Sequence, residues 1–177
     1  FGDGSQCLGY DDEVSRDHDW GIRVCILLRR HDYELFANRL RIVISEAPQE
    51  YRGYETSWHW LVQRGGVLEI LPWFRGLLGD RAIPVKPLDW LSIKEHELLS
   101  ATNGEIWYDP LGEVTALRAR LGRYPEDIWK KRLVQRCAEM SQSHSNVRRS
   151  ITRHEYVAAN LAKSYFAVSL MRCWFLL

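Results

Sequence analysis

Apolar positions recur along this chain with two periods, and the change between them divides it. Near the start, residues 19–28 run Trp20, Ile22, Val24 and then Cys25 to Leu28 almost without a polar break, the pattern of a buried strand. Residues 32–44 then space Tyr33, Leu35, Phe36, Leu40 and Val43 as one face of an amphipathic helix. Residues 45–54 are polar and turn-rich. Two apolar runs, 58–62 and 67–71, flank Gly65 and Gly66 and predict two strands or a strand and a turn. Pro72 and the pair Gly76 and Gly79 are expected to end that unit. Residues 2–9 are glycine-rich and read as a loop.

The second half keeps the helical period. Residues 84–91 are proline-bounded and extended. Residues 92–102 predict a helix with Ser92 as N-cap and Glu95 as the acid of a capping box. A short strand over 104–109 and a turn at 110–112 follow, then a short helix over 113–122. Residues 125–140 carry Glu126 and Asp127 in a first turn, with Ile128, Trp129, Leu133, Val134 and Cys137 at helical spacing. Residues 154–177 predict a long helix, mostly apolar in its second half. Strands and helices mixed early and helices alone later make an α+β protein. The expected organisation is a short mixed sheet with flanking helices over residues 1–110, followed by a helical domain over 111–177.

Charge sharpens this division. The chain has a formal net charge of +1, so no general attraction to nucleic acid or to a membrane is implied. Yet the first twenty residues hold Asp3, Asp11, Asp12, Glu13, Asp17 and Asp19 against the single base Arg16, while residues 118–153 are strongly basic. An acidic end and a basic end on one chain suit a metal ion together with a polyphosphate. Cys7, Cys25, Cys137 and Cys173 are scattered, without a CxxC pair, which argues against a zinc knuckle or redox motif. Cys25 and Cys173 lie in apolar runs and are expected as buried, reduced thiols, which favours the cytoplasm. No apolar run reaches membrane-spanning length. The first residue is not Met and the last helix-like run is still apolar at Leu177, so the chain is expected to be a piece of a longer protein.

The chemistry is concentrated near the start. Gly4 and Ser5 are followed, after eleven residues, by Asp17, His18 and Asp19. Acids at i and i+2 on a strand share a face. Two carboxylates that close repel, and a divalent cation relieves the repulsion. Magnesium favours a few carboxylates completed by waters and substrate phosphates, and a Gly-Ser turn offers backbone N–H groups and a hydroxyl to a phosphate. The bland alternative is a solvated acidic turn, with Ser5 an ordinary turn serine. Asp11, Asp12 and Glu13 are expected to form such a solvated turn, and His18 to be structural. The basic run Lys130, Lys131, Arg132 and Arg136 reads as a solvated face, or as contacts to a triphosphate or an RNA backbone.

The Gly-Ser, gap, Asp-x-Asp pattern resembles that of the polymerase-beta-like nucleotidyltransferase superfamily. The longer run from Gly4 to Gly21 is similar to one branch of it, the nucleotidyltransferase-like family of domain of unknown function 4037 (DUF4037). Four later segments resemble that family in the same order: Pro87-Leu-Asp-Trp-Leu-Ser92, Thr102-Asn-Gly-Glu-Ile-Trp-Tyr-Asp109, Tyr124-Pro-Glu-Asp-Ile-Trp129 and Leu170-Met-Arg-Cys-Trp-Phe-Leu-Leu177.

The resemblance implies a nucleotidyltransferase fold, with Gly4 and Ser5 at the phosphates and Asp17 and Asp19 as metal ligands. Glu69, between apolar neighbours, matches the superfamily's third acid and is expected as a third ligand. Glu155 falls where the family has an Asp-Glu pair at the start of the last helix, with His154 in place of the Asp, and is the expected general base. The implied activity is transfer of a nucleoside monophosphate, AMP from ATP, to a hydroxyl of a small molecule, with one or two Mg²⁺ ions. The alternatives are an RNA or protein acceptor, or a degenerate scaffold that binds a nucleotide or a partner without turnover. Trp20, Trp58, Trp60 and Trp73 are candidates to stack on a base. Nucleobase preference and oligomeric state have no signal in the sequence.

Overall fold

A computed structural model describes residues 2, 4–16, 24–46, 48, 50–51, 53–55 and 66–177. Helices dominate it, with short strands confined to the first half, so the chain is α+β. It divides into two compact units, Phe1–Ile83 with Asn103–Ala116, and Pro84–Thr102 with Leu117–Leu177. The boundary expected near residue 110 thus falls inside the last segment of the first unit, and residues 84–102 group with the helical one.

In the first unit, strand β1 (Cys25–Leu28) pairs in parallel with β4 (Gly66–Glu69), Cys25 opposite Gly66 and Leu28 opposite Glu69. The ladder opens where Gly66 N–H donates to the Val24 carbonyl at 2.8 Å. Each strand runs almost directly into a helix, α2 (Arg30–Ser45) after β1 and α3 (Ile70–Leu77) after β4. Such strand–helix units are how parallel pairs are connected. Between them a two-residue hairpin, β2 (Glu50–Tyr51) and β3 (Tyr54–Glu55), occupies part of the stretch read as a polar turn. Residues 58–62, expected as a strand, lie outside the described residues.

Two local expectations change. Residues 2–9 are not all loop: Ser5–Leu8 form a single helical turn, α1, which Gly9 closes in the left-handed conformation at φ 78°. Pro72 does not end the apolar run. It is the third residue of α3, where a helix has no internal partner for the N–H that proline lacks. The helix ends at Leu77, and the expected Gly79 follows at positive φ with Asp80, whose N–H closes onto the Arg75 carbonyl. Phe74 and Leu78, fully buried, project from α3 into the core of this unit with Ala37 and Val67.

The second unit is built from a 3-10 segment (Pro87–Ser92), α4 (Glu95–Thr102), the end of α5 (Glu113–Leu121), α6 (Glu126–Thr152) and α7 (Tyr156–Trp174). The strand expected over 104–109 does not form. Trp90, Ile93, Leu98, Ala101, Leu121 and Ile128 are its buried apolar residues around the shorter elements, and Ala159, Ala162 and Cys173 are those of α7. At 27 residues α6 is about 40 Å long, much longer than the 125–140 that its apolar period marks. It packs antiparallel to α7 as a hairpin. The hairpin's tip is a Schellman turn: Glu155 N–H bonds the Ser150 carbonyl and His154 N–H the Ile151 carbonyl. His154, at φ 59°, holds the left-handed position that glycine ordinarily fills.

Candidate functional site

Asp17, His18 and Asp19, with Trp20, Trp58 and Trp60, lie outside the described residues, so the proposed metal ligands are framed by what flanks them. Upstream, Asp12 Oδ1 accepts the N–H groups of Val14 at 2.9 Å and Ser15 at 3.0 Å, while Ser15 Oγ donates to Asp11 Oδ1 at 3.1 Å. Asp11 and Asp12 therefore cap the 3-10 turn Val14–Arg16, the solvated turn expected of them. Gly4 is the extended N-cap of α1 and Ser5 its first residue. Downstream, β1 begins at Cys25, six residues beyond Asp19.

Glu69 is the last residue of β4 and the N-cap of α3, half-buried, with no side-chain bond into the helix. Its partner across the pair is Leu28, at the carboxyl end of β1. Asp17 and Asp19 precede the amino end of that strand in the chain. Beside the same carboxyl ends, Arg29 Nη2 meets Glu113 Oε1 at 2.6 Å, and this hydrogen bond holds the Arg29 guanidinium above its usual range. The half-buried Trp73, on the first turns of α3, has its indole N–H buried without an acceptor among the described residues, a condition that costs about 1–3 kcal/mol. Arg75 is exposed in the last turn of α3. Among the described residues no cluster of three or more His, Cys, Asp or Glu side chains could hold a metal ion.

Glu155 is carried by the second unit, exposed at the N-cap of α7, without a side-chain capping bond. The basic run of α6 is the solvated face that local sequence suggests only at Lys130 and Lys131, which are exposed. Arg132 and Arg136 are buried. Glu95 Oε1 accepts from Arg132 Nη1 and Arg136 Nε, each at 3.2 Å. Arg136 Nη1 reaches Glu139 Oε2 at 2.6 Å, and Ser169 Oγ adds to the same carboxylate at 3.2 Å. Arg132 Nη2 is aimed at the carbonyls of Trp90, Leu91 and Ile93, and its guanidinium lies 4.9 Å from the centre of the Tyr124 ring. Glu95 is thus not a capping-box acid; the Lys94 N–H is capped by Glu97 Oε2 at 2.7 Å. Of the exposed bases here, Lys130 pairs with Glu126 at 2.6 Å.

Three of the family-like segments serve this unit as pegs. Asp89 Oδ2 accepts the N–H groups of Lys86 and Val85 at 2.8 and 3.0 Å, which lowers its pKa below the usual carboxylate value. Trp90 packs edge-on against Tyr124, with ring centres 5.7 Å apart, and Tyr124 Oη donates to the Ile93 carbonyl at 2.9 Å. Burial pushes the Tyr124 hydroxyl well above its ordinary pKa. Trp129 Nε1 donates to the Leu176 carbonyl, tying the start of α6 to the end of the chain.

The basic stretch that the sequence marks over 118–153 ends in a groove at the distal end of α6. His144, Ser145, Arg148, Arg149, Thr152 and Arg153 line an open cavity of about 520 Å³. A second cavity, of about 310 Å³, adjoins Arg149 and Arg153 and takes in Leu161 and Tyr165 of α7.

Residues 90–177 match the family model described as Domain of unknown function (DUF4037), which supports that family for this chain. The matched region covers most of the helical unit together with residues 103–116 of the first unit. No curated protein and no solved structure matches. Among the described residues, no helix is long and apolar enough to cross a membrane.

Proposed function

We propose that this chain is a metal-dependent nucleotidyltransferase that moves AMP from ATP to a hydroxyl of a small molecule. One observation carries the reading: a Gly-Ser pair at the start of a helical turn, an Asp-x-Asp pair twelve residues on from Ser5, and a parallel strand–helix unit that begins six residues after Asp19. The DUF4037 match supports the family, and the nucleotidyltransferase activity is an inference from the motif.

In this reading Asp17 and Asp19 hold the metal. Their hard carboxylate oxygens suit Mg²⁺, whose remaining positions phosphate and water would complete. The ion would neutralise charge on the triphosphate. Gly4 and Ser5 receive the β- or γ-phosphate through backbone N–H groups and a hydroxyl. The acceptor oxygen attacks the α-phosphorus as the bond to the bridging oxygen breaks, and pyrophosphate leaves. Glu155, exposed and free of a capping bond, takes the proton of the acceptor hydroxyl. Positioning and charge neutralisation supply most of the rate. Glu69 is proposed as the third ligand. Its pairing with Leu28 makes the Glu69→Gln variant decisive: loss of Mg²⁺ binding comparable to that in Asp17→Ala assigns it to the metal, and retention assigns it to the strand end.

The activity test is pyrophosphate release from ATP and Mg²⁺ across a panel of hydroxyl acceptors. Release that requires an acceptor and is lost in Asp17→Ala/Asp19→Ala supports the proposal. Binding of nucleotide without release by any acceptor favours the degenerate scaffold.

A further inference from the structure

Glu155, the proposed base, sits in the turn of the α6–α7 hairpin; the groove beside it, lined from His144 to Arg153, has no role in that reading, and its chemistry is specific. From residue 140 to residue 177 the chain has one acid, Glu155, against Arg148, Arg149, Arg153, Lys163 and Arg172. Helical spacing stacks His144, Arg148 and Thr152 in one row and Ser145, Arg149 and Arg153 in the next. All of these are exposed, and among the described residues none of the three guanidinium groups has an ion-pair or hydrogen-bond partner.

A helix C-terminus favours a cation in its last turn, and Arg149 there is accounted for. That effect falls off within a turn. It extends to Arg153, the C-cap, but not to Arg148, which precedes the last turn, and the like-charged pair Arg149 and Arg153, four residues apart, still destabilises an isolated helix by about 0.2–0.5 kcal/mol. An anion lying in the groove would reverse the sign. The row from His144 to Arg153 extends about 14 Å along the helix, which suits successive phosphates of a chain better than one terminal phosphate. The adjoining cavity places Tyr165, 59 % exposed, beside Arg149 and Arg153, and Tyr156, 62 % exposed, stands at the turn against the His154 ring. Guanidinium groups along a polar groove with tyrosine faces at its margin are the elements of single-strand recognition.

We infer that the tip of the α6–α7 hairpin binds single-stranded nucleic acid, with Arg148, Arg149 and Arg153 on the phosphodiester backbone and Tyr165 stacked on a base. The surface belongs to the second unit and adjoins Glu155 in the chain, but its strand-binding test does not require nucleotidyl transfer. Arg132 and Arg136, buried on Glu95, take no part.

The test is fluorescence anisotropy of a labelled single-stranded RNA, and of a DNA of the same sequence, against the full chain over a range of salt. Three phosphate contacts predict a slope of about −2 in log K against log salt. Arg149→Ala/Arg153→Ala removes two of them and flattens the slope to about −0.7. Tyr165→Ala weakens binding about tenfold with the slope unchanged. Lys130→Ala, which alters only an exposed pair with Glu126, leaves binding intact. Circular dichroism of each variant separates lost binding from lost fold, and Arg148→Glu supplies an independent charge reversal. DNA bound as tightly as RNA supports backbone contact without use of the 2′-hydroxyl. The inference is overturned by no binding at low salt, by binding indifferent to the arginine variants, or by tripolyphosphate displacing the strand while Tyr165→Ala has no effect, which marks an anion site only. Preference for anionic lipid vesicles over the oligonucleotides overturns it too.

Discussion

Glu95 Oε1 stands 3.2 Å from Arg132 Nη1, with 1 % of the Glu95 side chain and 8 % of the Arg132 side chain exposed. Arg136, at the same distance and equally buried, shares that oxygen. One carboxylate therefore compensates two buried guanidinium groups, and the second guanidinium draws on Glu139 as well.

Removing the shared acid leaves two buried cations short of a partner. Glu95→Gln is expected to lower the unfolding free energy by about 3–5 kcal/mol, measured by urea denaturation. Arg132→Lys should also destabilise, because an ammonium cannot span Glu95 and the carbonyls of Trp90, Leu91 and Ile93 together. Wild-type stability in both variants would contradict the structural role of this network.

At the hairpin tip, His154 occupies a left-handed position that costs a non-glycine residue about 1 kcal/mol. His154→Gly should accordingly raise stability by roughly that amount, read as a higher midpoint of thermal or urea unfolding. A loss of stability would mean that the contact of the His154 ring with Tyr156 outweighs the backbone strain.

Cys173 is buried on α7, and burial, with a further contribution from the neighbouring Cys137 thiol of α6, pushes its pKa up. The two thiols neighbour each other across α6 and α7, so oxidation should join them within one chain. Peptide mapping under non-reducing conditions should find Cys137 linked to Cys173, with no cross-link in Cys137→Ser. Exclusive formation of intermolecular products would contradict the placement of these residues.

Asp89 is held below the ordinary carboxylate pKa first by the N–H of Lys86 and then by that of Val85. A lowered folded-state pKa means the cap contributes its full stability above the unfolded carboxylate value and loses it as pH falls through the folded one. The stability difference between the wild type and Asp89→Asn should be constant near neutrality and vanish in acid. A difference that grows on acidification would contradict this cap.

The elements with sustained helical period were legible. Residues 32–44, 113–122 and 154–177 appear as Arg30–Ser45, Glu113–Leu121 and Tyr156–Trp174. Length failed where packing rather than pattern holds the helix: residues 141–152 are mostly polar, yet they continue α6 because α7 lies along it. Local reading also misjudged Glu95, Arg132 and Arg136. Their spacing marked a cap and a solvated face, and their pairing, across 37 and 41 residues, has no local trace. Pro72 was misread because a proline early in a helix and a proline that breaks one look alike without the preceding strand. The Gly-Ser and Asp-x-Asp pattern was visible from residue types and spacing alone. Gly4, Ser5 and Glu69 are described within the first unit and Glu155 within the second, whereas Asp17 and Asp19 lie outside the described residues.

The most direct measurement is a calorimetric titration of ATP, and of GTP, into the chain with and without Mg²⁺, repeated on Asp17→Ala/Asp19→Ala. Nucleotide binding should require Mg²⁺ and disappear in the variant while its circular dichroism is unchanged. Absence of binding by the folded protein, or binding that survives loss of both aspartates, would contradict a nucleotidyltransferase site at this motif.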